Sequence, residues 1–360
     1  MKIDAFTHIF PKAYWDRMFR VLPDGRDMHK RVRAIPSIVD LDARFRIMDG
    51  FGDDYRQVLT LGSPPIEAFP ASAAAELARM ANDGMAELVC RHPERFFGFA
   101  ASLPMNDIEA SLREAERAVD HLNALGVQVF TNINGRPLYS AQTLPLFDLM
   151  ARFDLPMWMH PARGAETVDY AGEKKSHYEI WWTLGWPYET SVAMAHMVFG
   201  GLFDRHPGFK LITHHMGGMI PYFEGRVGPG WDQLGTRTSD EDYGPLLQSM
   251  KAKGKRPVDY FRNFYADTAL FGAHEATKCG LRFFGVERTL FASDAPFDPE
   301  GGRMYIRDTL EILERLDLSP AERRAIYEGN LRRVCRRDLA TVKVSGDRPN
   351  IAPARRSISL

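Results

Sequence analysis

Five ionisable residues follow short apolar segments and are the residues that could carry chemistry. His8 follows KIDAF, His160 ends PMWMH, His214 and His215 end FKLITHH, and Asp294 ends RTLFASD. Imidazole nitrogens and carboxylate oxygens are ligands for Zn²⁺, Fe²⁺ or Mn²⁺ when they converge. Each histidine taken singly could instead be a hydrogen-bonded structural residue. Four segments that end in the same way favour one shared site.

The elements that must position these residues are eight short β-rich segments separated by helical patterns, in which apolar residues return every three or four positions. The predicted strands are residues 2–6, 56–61, 96–102, 127–132, 156–160, 209–214, 263–269 and 288–293. Repeated strand-helix alternation predicts parallel strands with right-handed crossovers, and eight units favour a (β/α)8 TIM barrel. No glycine-rich turn follows the first strand, which disfavours an open dinucleotide-binding sheet.

Three connections are longer than a barrel requires, at residues 9–40, 161–187 and 216–262. All three leave the carboxyl ends of strands, where barrel enzymes build their sites, so they are candidate lids and subunit contacts. We expect the barrel domain to span residues 1–339. Residues 340–360 lack periodicity and are expected to form a C-terminal tail.

Composition restricts the class of ligand and the location. The 360 residues carry a formal net charge of −1 with no basic stripe, which disfavours nucleic acid and favours small molecules. Three distant cysteines give neither a disulfide framework nor a thiolate zinc site. Without a secretory signal or an apolar run long enough for a membrane span, we expect a soluble cytoplasmic protein and no membrane partner.

Several motifs together resemble a known family. They are IDAFTHIFP, DARFRIMD, MWMHPA, FASDAPFDPEGG and the long segment GWPYETSVAMAHMVFGGLFDRHPGFKLITHHMGGMIP. They resemble the aminocarboxymuconate-semialdehyde decarboxylase branch of the amidohydrolase superfamily, also called amidohydrolase-related family 2. The resemblance extends from Lys2 to about Arg333 and is densest over residues 185–221. It implies a metal-dependent barrel that decarboxylates aromatic or unsaturated acids without oxidation, with some hydrolases and hydratases among its members.

The resemblance also implies a set of metal ligands. The family uses a His-x-His or Glu-x-His pair on strand one, a histidine ending strand five and an aspartate ending strand eight. His8, His160 and Asp294 match three of these positions, whereas Phe6 stands where the first ligand belongs and cannot bind a metal. We expect one divalent metal, with Zn²⁺ first and Fe²⁺ or Mn²⁺ as alternatives.

Catalytic roles are implied for two of the residues. His215 stands six residues before Pro221, where the family places a catalytic histidine, and Asp294 could also activate water. Because adjacent strand residues alternate, His214 is expected to face the helices or to act as an outer hydrogen-bond donor. Asp267 is expected to be a buried structural carboxylate.

Three residues are expected to bind the substrate. Arg44 matches an arginine that pairs with a substrate carboxylate, although by itself it could form a surface salt bridge. Trp182 matches an aromatic residue of the pocket, and its alternatives are a core or a dimer contact. Phe297, just beyond Asp294, is expected to close the pocket wall.

The missing ligand leaves three interpretations open. The first is a three-ligand zinc decarboxylase or hydrolase acting on a small carboxylic acid. The second is an Fe(II) oxygenase with a 2-His-1-carboxylate site, either alone or as the metal-binding partner in a hetero-oligomer. The third is a non-catalytic subunit. We favour the first, and expect a homodimer or a hetero-oligomer with a related chain.

Overall fold

The computed structural model describes residues 1–22, 26–237 and 240–336, and of residues 26–29 the backbone only. Eight parallel strands form the sheet: β1 (Lys2–His8), β2 (Tyr55–Thr60), β3 (Phe96–Ser102), β4 (Gly126–Phe130), β5 (Met157–His160), β6 (Leu211–Thr213), β7 (Tyr265–Asp267) and β8 (Thr289–Leu290). Their spatial order follows the chain. The predicted (β/α)8 barrel is confirmed, although β6, β7 and β8 are shorter than expected. The predicted division between residues 339 and 340, and the tail after it, lie outside the described residues.

The sheet closes through backbone hydrogen bonds between β1 and the segment after β8. The Ala5 amide donates to the Phe291 carbonyl and the His8 amide to the Ala295 carbonyl, both at 2.8 Å. The Asp294 amide in turn donates to the Phe6 carbonyl at 3.2 Å. Closure therefore places Phe6, His8 and Asp294 side by side, although 286 positions separate His8 from Asp294.

A buried carboxylate reinforces this seam. Asp4 accepts hydrogen bonds from the Tyr55 hydroxyl at 2.7 Å and from the Ser293 amide at 2.9 Å. Burial raises the pKa of Asp4 to about 6, although the bonds from Ser293 and Tyr55 oppose the shift. The same polar contacts satisfy a group that would otherwise be costly to bury.

Helices surround the strands. In the described residues the α-helices are α1 (Lys12–Val21), α2 (Arg26–Arg33), α3 (Leu41–Asp49), α4 (Ala71–Arg91), α5 (Ile108–Leu122), α6 (Leu144–Phe153), α7 (Ile180–Thr183), α8 (Gly185–Phe199), α9 (Leu202–Arg205), α10 (Glu224–Trp231), α11 (Gly244–Ala252), α12 (Pro257–Phe261), α13 (His274–Phe284), α14 (Met304–Arg315), α15 (Pro320–Arg324) and α16 (Asn330–Val334). Short 3₁₀ turns occupy Pro36–Ile38, Ile66–Ala68, His215–Gly217 and Val286–Arg288, and a π turn occupies Ala325–Gly329. A small antiparallel hairpin joins Asn132–Ile133 to Arg136–Pro137.

The barrel interior below the mouth is apolar and packed. Trp158 is fully buried there among side chains from several strands, including Val58, Ala100 and Ile212. Its indole nitrogen donates to the Ala5 carbonyl at 2.9 Å, so the one polar atom of the ring is satisfied. Truncating such a side chain typically costs about 3–5 kcal/mol. This packed floor supports the strand ends at which the polar side chains stand.

The first long connection is folded against the mouth. Helix α1 and the turn at Pro36–Ile38 bury Tyr14 and Ile38 in a hydrophobic cluster that also contains Phe297. Asp40 then caps α3, because its carboxylate accepts from the Asp42 amide at 2.9 Å. The expected lid is therefore a packed cover above the strand ends. Among the described helices, none combines the length and apolar character that crossing a membrane requires.

Candidate metal centre and active site

Four buried side chains converge at the carboxyl ends of the strands. His8, His160, His214 and Asp294 each offer one ligand atom, and these four atoms lie within 4.8 Å of one another. Two atoms bound to one ion at about 2.0–2.2 Å can be separated by up to roughly 4.4 Å, so small shifts of these side chains would let all four atoms bind one ion. The structure thus brings together the three residues predicted as ligands, and it adds His214.

His8 ends β1 with one ring nitrogen held by a neighbouring hydroxyl. Its Nδ1 lies 3.0 Å from the Thr60 hydroxyl, which itself donates to the Thr7 carbonyl at 2.9 Å. Thr60 must therefore accept from Nδ1–H, which assigns the lone pair of a neutral His8 ring to Nε2. That Nε2 faces Asp294 Oδ1 at 2.9 Å. Burial lowers the pKa of His8, although Asp294 opposes the shift, and the neutral form is the one that binds metals.

His160 ends β5 and, like His8, has its proton on Nδ1 and its lone pair on Nε2. Its Nδ1–H donates to the Pro161 carbonyl at 2.7 Å, leaving Nε2 as the acceptor nitrogen. Burial, followed by the charges of His8 and His214, lowers the pKa of His160 well below its usual value. A carbonyl behind a histidine ring is a common way to fix the tautomer of a metal ligand.

His214 does not face the helices, and this part of the prediction is wrong. Its ring is fully buried, with Nδ1 on the Asp267 carboxylate and Nε2 at 3.1 Å from Asp294 Oδ1. Burial lowers the pKa of His214, but Asp267 and Asp294 together raise it to about 9. Asp267 is buried and hydrogen bonded, as predicted, and its partner is the His214 ring.

The backbone explains how two consecutive histidines both reach the site. Strand β6 ends at Thr213, and His214 still has extended dihedral angles, with φ of −79° and ψ of 154°. The chain leaves this conformation at His215 and Met216, with φ of 54° and 53°. Side-chain alternation applies only while the strand continues. Such left-handed backbone costs of order 1–3 kcal/mol per non-glycine residue and clusters at functional sites. Asp294 also has a positive φ, of 66°.

Asp294 is the common partner of two rings. Burial alone would raise its pKa, but His214 and His8 hold the pKa of Asp294 well below its usual range. The carboxylate is therefore ionised and available as a ligand. Its additional catalytic role stays a prediction.

His215 stacks directly on His214, with ring centroids 3.8 Å apart. Its Nδ1–H donates to the Ala269 carbonyl at 2.8 Å, and no hydrogen bond to Nε2 is found within the described residues. Burial, then the neighbouring charge of His214, lowers the pKa of His215 to about 4. The ring therefore lies beside the metal ligands with one nitrogen available, and its catalytic role stays a prediction.

Phe6 fills the space beside these rings. Its centroid lies 4.0 Å from that of His214, 5.4 Å from that of His8 and 5.9 Å from that of His160. The side chain is fully buried and forms part of the interior apolar cluster. The phenyl ring therefore closes the floor of the centre where the family would place another ligand.

Arg44 lies under the end of β1. Its Nη1 donates to the His8 carbonyl at 2.7 Å, its Nη2 to the Thr7 hydroxyl at 3.0 Å and its Nε to the Gln57 side chain at 2.8 Å. The side chain is 3% exposed, so the alternative of a surface salt bridge is wrong. Burial lowers the pKa of Arg44 to about 10. These contacts support the strand that carries His8, and the predicted contact with a substrate carboxylate stays a prediction.

Trp182 and Phe297 meet around an arginine that the sequence analysis missed. The guanidinium carbon of Arg31 lies 4.6 Å from the Trp182 ring centroid and 4.9 Å from that of Phe297. Phe297 in turn lies 5.3 Å from the His8 ring. The only available signal was the basic segment HKRVRA inside the first long connection, which does not reveal where any one side chain points.

A cavity of about 1230 Å³ adjoins the metal centre, lined in part by Ser63, Asn132, Arg163, Trp181, Trp186 and Glu189. The Trp186 ring lies 5.4 Å from that of His160, which connects the cavity wall to the centre. Arg163 forms an ion pair with Glu189 at 3.2 Å and its side chain is 15% exposed. Arg163 is therefore a paired and largely shielded charge in the cavity wall.

The four converging side chains fit a divalent metal ion. Three imidazoles and one carboxylate form a nitrogen and oxygen set that suits Zn²⁺, Mn²⁺ or Fe²⁺. In each of the three rings Nδ1 is bound to a protein group on the far side, which directs Nε2 into the centre. A single divalent ion therefore has a suitable site here, and these atoms do not determine which metal it is.

Comparison with known proteins agrees with this geometry. The family model described as amidohydrolase matches residues 3–337. Gamma-resorcylate decarboxylase of Polaromonas sp. is 34% identical over 304 residues, covering 80% of this chain and 85% of that protein. The 2-amino-3-carboxymuconate-6-semialdehyde decarboxylase of Dictyostelium discoideum is 29% identical, covering 82% of each chain.

Solved structures give the same result. The complex of 2,6-dihydroxybenzoate decarboxylase with 2,6-dihydroxybenzoate superposes with a TM-score of 0.73 and 26% identity, covering 93% of this chain and 99% of that one. Dihydroxybenzoic acid decarboxylase from Polaromonas sp. JS666, with bound manganese and 2-nitroresorcinol, superposes with a TM-score of 0.73 and 28% identity, covering 93% of this chain and 96% of that one. These relatives support a metal-dependent carboxy-lyase. With the family match spanning nearly the whole described barrel, the chain belongs to the amidohydrolase family.

Proposed function

We propose that this protein catalyses the nonoxidative, metal-dependent decarboxylation of a small aromatic carboxylic acid. The observation that carries the proposal is the buried centre of three histidines and one aspartate beside an aromatic wall. Relatives that match most of the chain act on gamma-resorcylate and on 6-methylsalicylic acid, which are ring-bearing acids. Trp182 and Phe297 provide flat surfaces that suit such a ring.

His8, His160, His214 and Asp294 would hold the ion. When bound there, a divalent metal supplies positive charge that stabilises negative charge developing on substrate oxygens. We keep Zn²⁺ as the first candidate from the donor set. Mn²⁺ ranks beside it, because manganese is bound in the related Polaromonas decarboxylase.

His215 would handle the proton. Decarboxylation requires a proton at the ring carbon that loses the carboxyl group, after which the carbon-carbon bond breaks and its electron pair returns to the ring. The free Nε2 of His215, in a ring held by the Ala269 carbonyl, is the group that we assign to that transfer. Because this nitrogen is unprotonated in the neutral ring, it would first accept a proton from a hydroxyl group of the substrate or from water and then give it to the ring carbon. Phe6 would keep water away from the inner side of the centre, because its ring is fully buried against His214.

The other interpretations have less support. An oxygenase site of two histidines and one carboxylate differs from a cluster that contains three histidines. The relatives compared above are decarboxylases, which disfavours a hydrolase. A purely structural subunit would not require a carboxylate behind His214 to orient an inward-facing nitrogen.

Metal reconstitution followed by a carbon dioxide assay tests the proposal. The protein is stripped with chelator, loaded separately with Zn²⁺, Mn²⁺ or Fe²⁺, and incubated with 2,6-dihydroxybenzoate, 6-methylsalicylate and salicylate. We expect carbon dioxide and the matching phenol in equal amounts, no oxygen consumption, and loss of turnover in His160→Ala. Oxygen uptake coupled to substrate loss would favour the oxygenase. No carbon dioxide from any acid with any metal would overturn the decarboxylase.

A further inference from the structure

We propose that Arg44 is a positioning residue of the metal centre, which holds the end of β1 in the shape that turns His8 toward the inside of the barrel. The resemblance described above implies a different task for Arg44, that of pairing with a substrate carboxylate. The two roles predict different effects on metal binding and can be separated by experiment. Because the proposed role concerns the metal centre itself, it does not depend on which acid the protein decarboxylates.

Strand β1 contains one residue more than its neighbour β2 just before His8. Asp4 is paired with Gln57 and Thr7 with Leu59, so three steps along β1 match two steps along β2. Such an extra residue is a β-bulge, which is common next to active sites and changes the direction of the side chains that follow it. Because side chains alternate along a regular strand, one extra residue reverses the side of the sheet that the following residues face.

The side chains before and after the bulge show this reversal. Ile3 and Ala5 belong to the apolar cluster inside the barrel, so Asp4 between them faces the helices. In a regular strand His8 would face the same side as Asp4, because an even number of positions separates them. In the structure Thr7 faces the helices instead, where a side chain from α3 reaches its hydroxyl, and His8 faces the metal centre.

Arg44, on helix α3, binds both residues that follow the bulge. Its Nη2 donates to the Thr7 hydroxyl at 3.0 Å and its Nη1 to the His8 carbonyl at 2.7 Å. The Thr7 hydroxyl in turn donates to the Val58 carbonyl of β2 at 2.9 Å. The guanidinium group therefore fixes the end of β1 from the helix side, and the backbone of His8 transmits that restraint to its ring.

The same contacts leave Arg44 with little capacity for a carboxylate. Bidentate binding of a carboxylate requires two free N–H groups on one edge of the guanidinium group. One such edge includes Nε, which donates to the Gln57 side chain at 2.8 Å, and the other includes Nη1, which donates to the His8 carbonyl. Arg44 is therefore better suited to hold the strand than to bind a substrate.

A chain of hydrogen bonds connects Arg44 with the segment that follows β8. Gln57 accepts from Arg44 Nε and donates to the Tyr55 hydroxyl at 3.0 Å. That hydroxyl donates to Asp4 at 2.7 Å, and Asp4 also accepts from the Ser293 amide at 2.9 Å. Ser293 directly precedes the metal-binding aspartate. The buried network thus supports both ligands at the seam, and removing one member would leave a buried polar group without its partner.

Zinc affinity and the spectrum of bound Co²⁺ test the role of Arg44. Competition with a chelator of known affinity gives the Kd for Zn²⁺, and the visible absorption of the Co²⁺-loaded protein reports the geometry of the ligands. For Arg44→Met we expect the Kd for Zn²⁺ to rise about 10- to 100-fold, the range for groups behind metal ligands, and the Co²⁺ spectrum to change. Arg44→Lys should lie between the wild type and Arg44→Met, because an ammonium group keeps the charge without the fork.

Gln57→Leu tests the chain of hydrogen bonds separately. It should weaken Zn²⁺ binding less than Arg44→Met does, because Arg44 keeps its two bonds to β1. Combined with Arg44→Met it should add less than its own separate effect, since the two side chains belong to one network. If Arg44→Met does not fold, Arg44→Lys and Gln57→Leu provide the same comparison with the wild type.

Asn330→Ala is the matched control for a general loss of stability. Asn330 is fully buried, and its side chain donates to the Val286 and Thr289 carbonyls at 2.7 and 2.8 Å, at the start of β8. Losing these bonds should lower the melting temperature. The Kd for Zn²⁺ and the Co²⁺ spectrum should stay as in the wild type, because the strands of a barrel begin at the end opposite to the metal centre.

Wild-type Zn²⁺ affinity together with an unchanged Co²⁺ spectrum in Arg44→Met would overturn the proposed role. If that variant also lost affinity for 2,6-dihydroxybenzoate, Arg44 would be a substrate-binding residue instead. Equal weakening in Asn330→Ala would show that metal affinity only follows the stability of the barrel, which also overturns the role. Wild-type protein that binds neither ion would do the same. None of these measurements uses carbon dioxide release, so the proposed reaction could fail while the role of Arg44 stands, and the reverse.

Discussion

The ends of β1 and β6 both border the metal centre and contribute to it differently. Strand β1 presents Phe6 and His8, one apolar ring and one imidazole backed by the neutral hydroxyl of Thr60. Strand β6 is followed by His214 and His215, two stacked imidazoles, the first backed by the Asp267 carboxylate. Strand β1, which resembles a segment with two metal ligands, offers one metal donor, His8. Strand β6, which was expected to offer no metal ligand, is followed by the donor His214.

This difference shows that the number of donors at a barrel mouth can be kept when one strand loses a ligand. The mouth collects the ends of all eight strands, so a donor missing from one strand can be replaced from another. The Phe6 and His214 rings are neighbours, with centroids 4.0 Å apart, so the His214 donor lies beside the place from which a ligand at residue 6 would approach the centre. We infer that His214 takes the place of the ligand that Phe6 cannot be.

Removing His214 gives the largest expected effect. His214→Ala should lower bound metal from about one ion per chain to less than about 0.2, and turnover should fall with it, because three of four donors remain and a buried carboxylate loses its partner. Elemental analysis after dialysis measures the metal. His196→Ala, which changes an exposed histidine on α8, is the control and should keep full occupancy. Full metal content in His214→Ala would show that β6 supplies no ligand.

The neighbouring residue should behave in the opposite way. His215→Asn should retain its metal but lose at least about 10²-fold in kcat, because a general acid is removed and no ligand is. Metal analysis and steady-state kinetics on the same preparation separate the two histidines. A variant with unchanged kcat would leave His215 as a structural residue, and a variant without metal would make it a ligand.

The contrast between the two strands also shows where sequence reasoning succeeded. Apolar periodicity predicted all eight strands, and strand ends predicted that His8, His160 and Asp294 would meet, because a parallel barrel gathers those ends. His214 was placed wrongly because alternation was applied between His214 and an inward-facing His215, whereas His214 keeps the extended conformation and the chain leaves it at His215, where φ is 54°. Arg31 was missed because its position depends on how the first long connection packs, and no local pattern encodes that packing.

The groups behind the two ligands should differ in strength. Asp267→Asn removes the charge that orients and polarises His214, and it should weaken metal binding by about 10- to 100-fold, the range for partners behind metal-binding histidines. Thr60→Val removes a neutral hydroxyl behind His8 and should weaken metal binding less than Asp267→Asn does. Competition with a chelator of known affinity measures both constants. Equal losses would mean that the two strand ends support their histidines alike.

The substitution Phe6→His, which returns a donor to β1, should have the smallest effect on metal binding in the wild-type protein. Its effect should be much larger when it is combined with His214→Ala. Phe6→His alone should tighten metal binding only modestly, because His214 already provides the donor and a buried imidazole without a partner is costly. In His214→Ala, however, the same change should restore metal occupancy, since the new imidazole on β1 would lie next to the space that the His214 ring has left. Elemental analysis of the two single variants and the double variant measures this coupling as a double-mutant cycle. If occupancy in the double variant stays as low as in His214→Ala, the two positions are not interchangeable, and the exchange of a ligand between β1 and β6 is wrong.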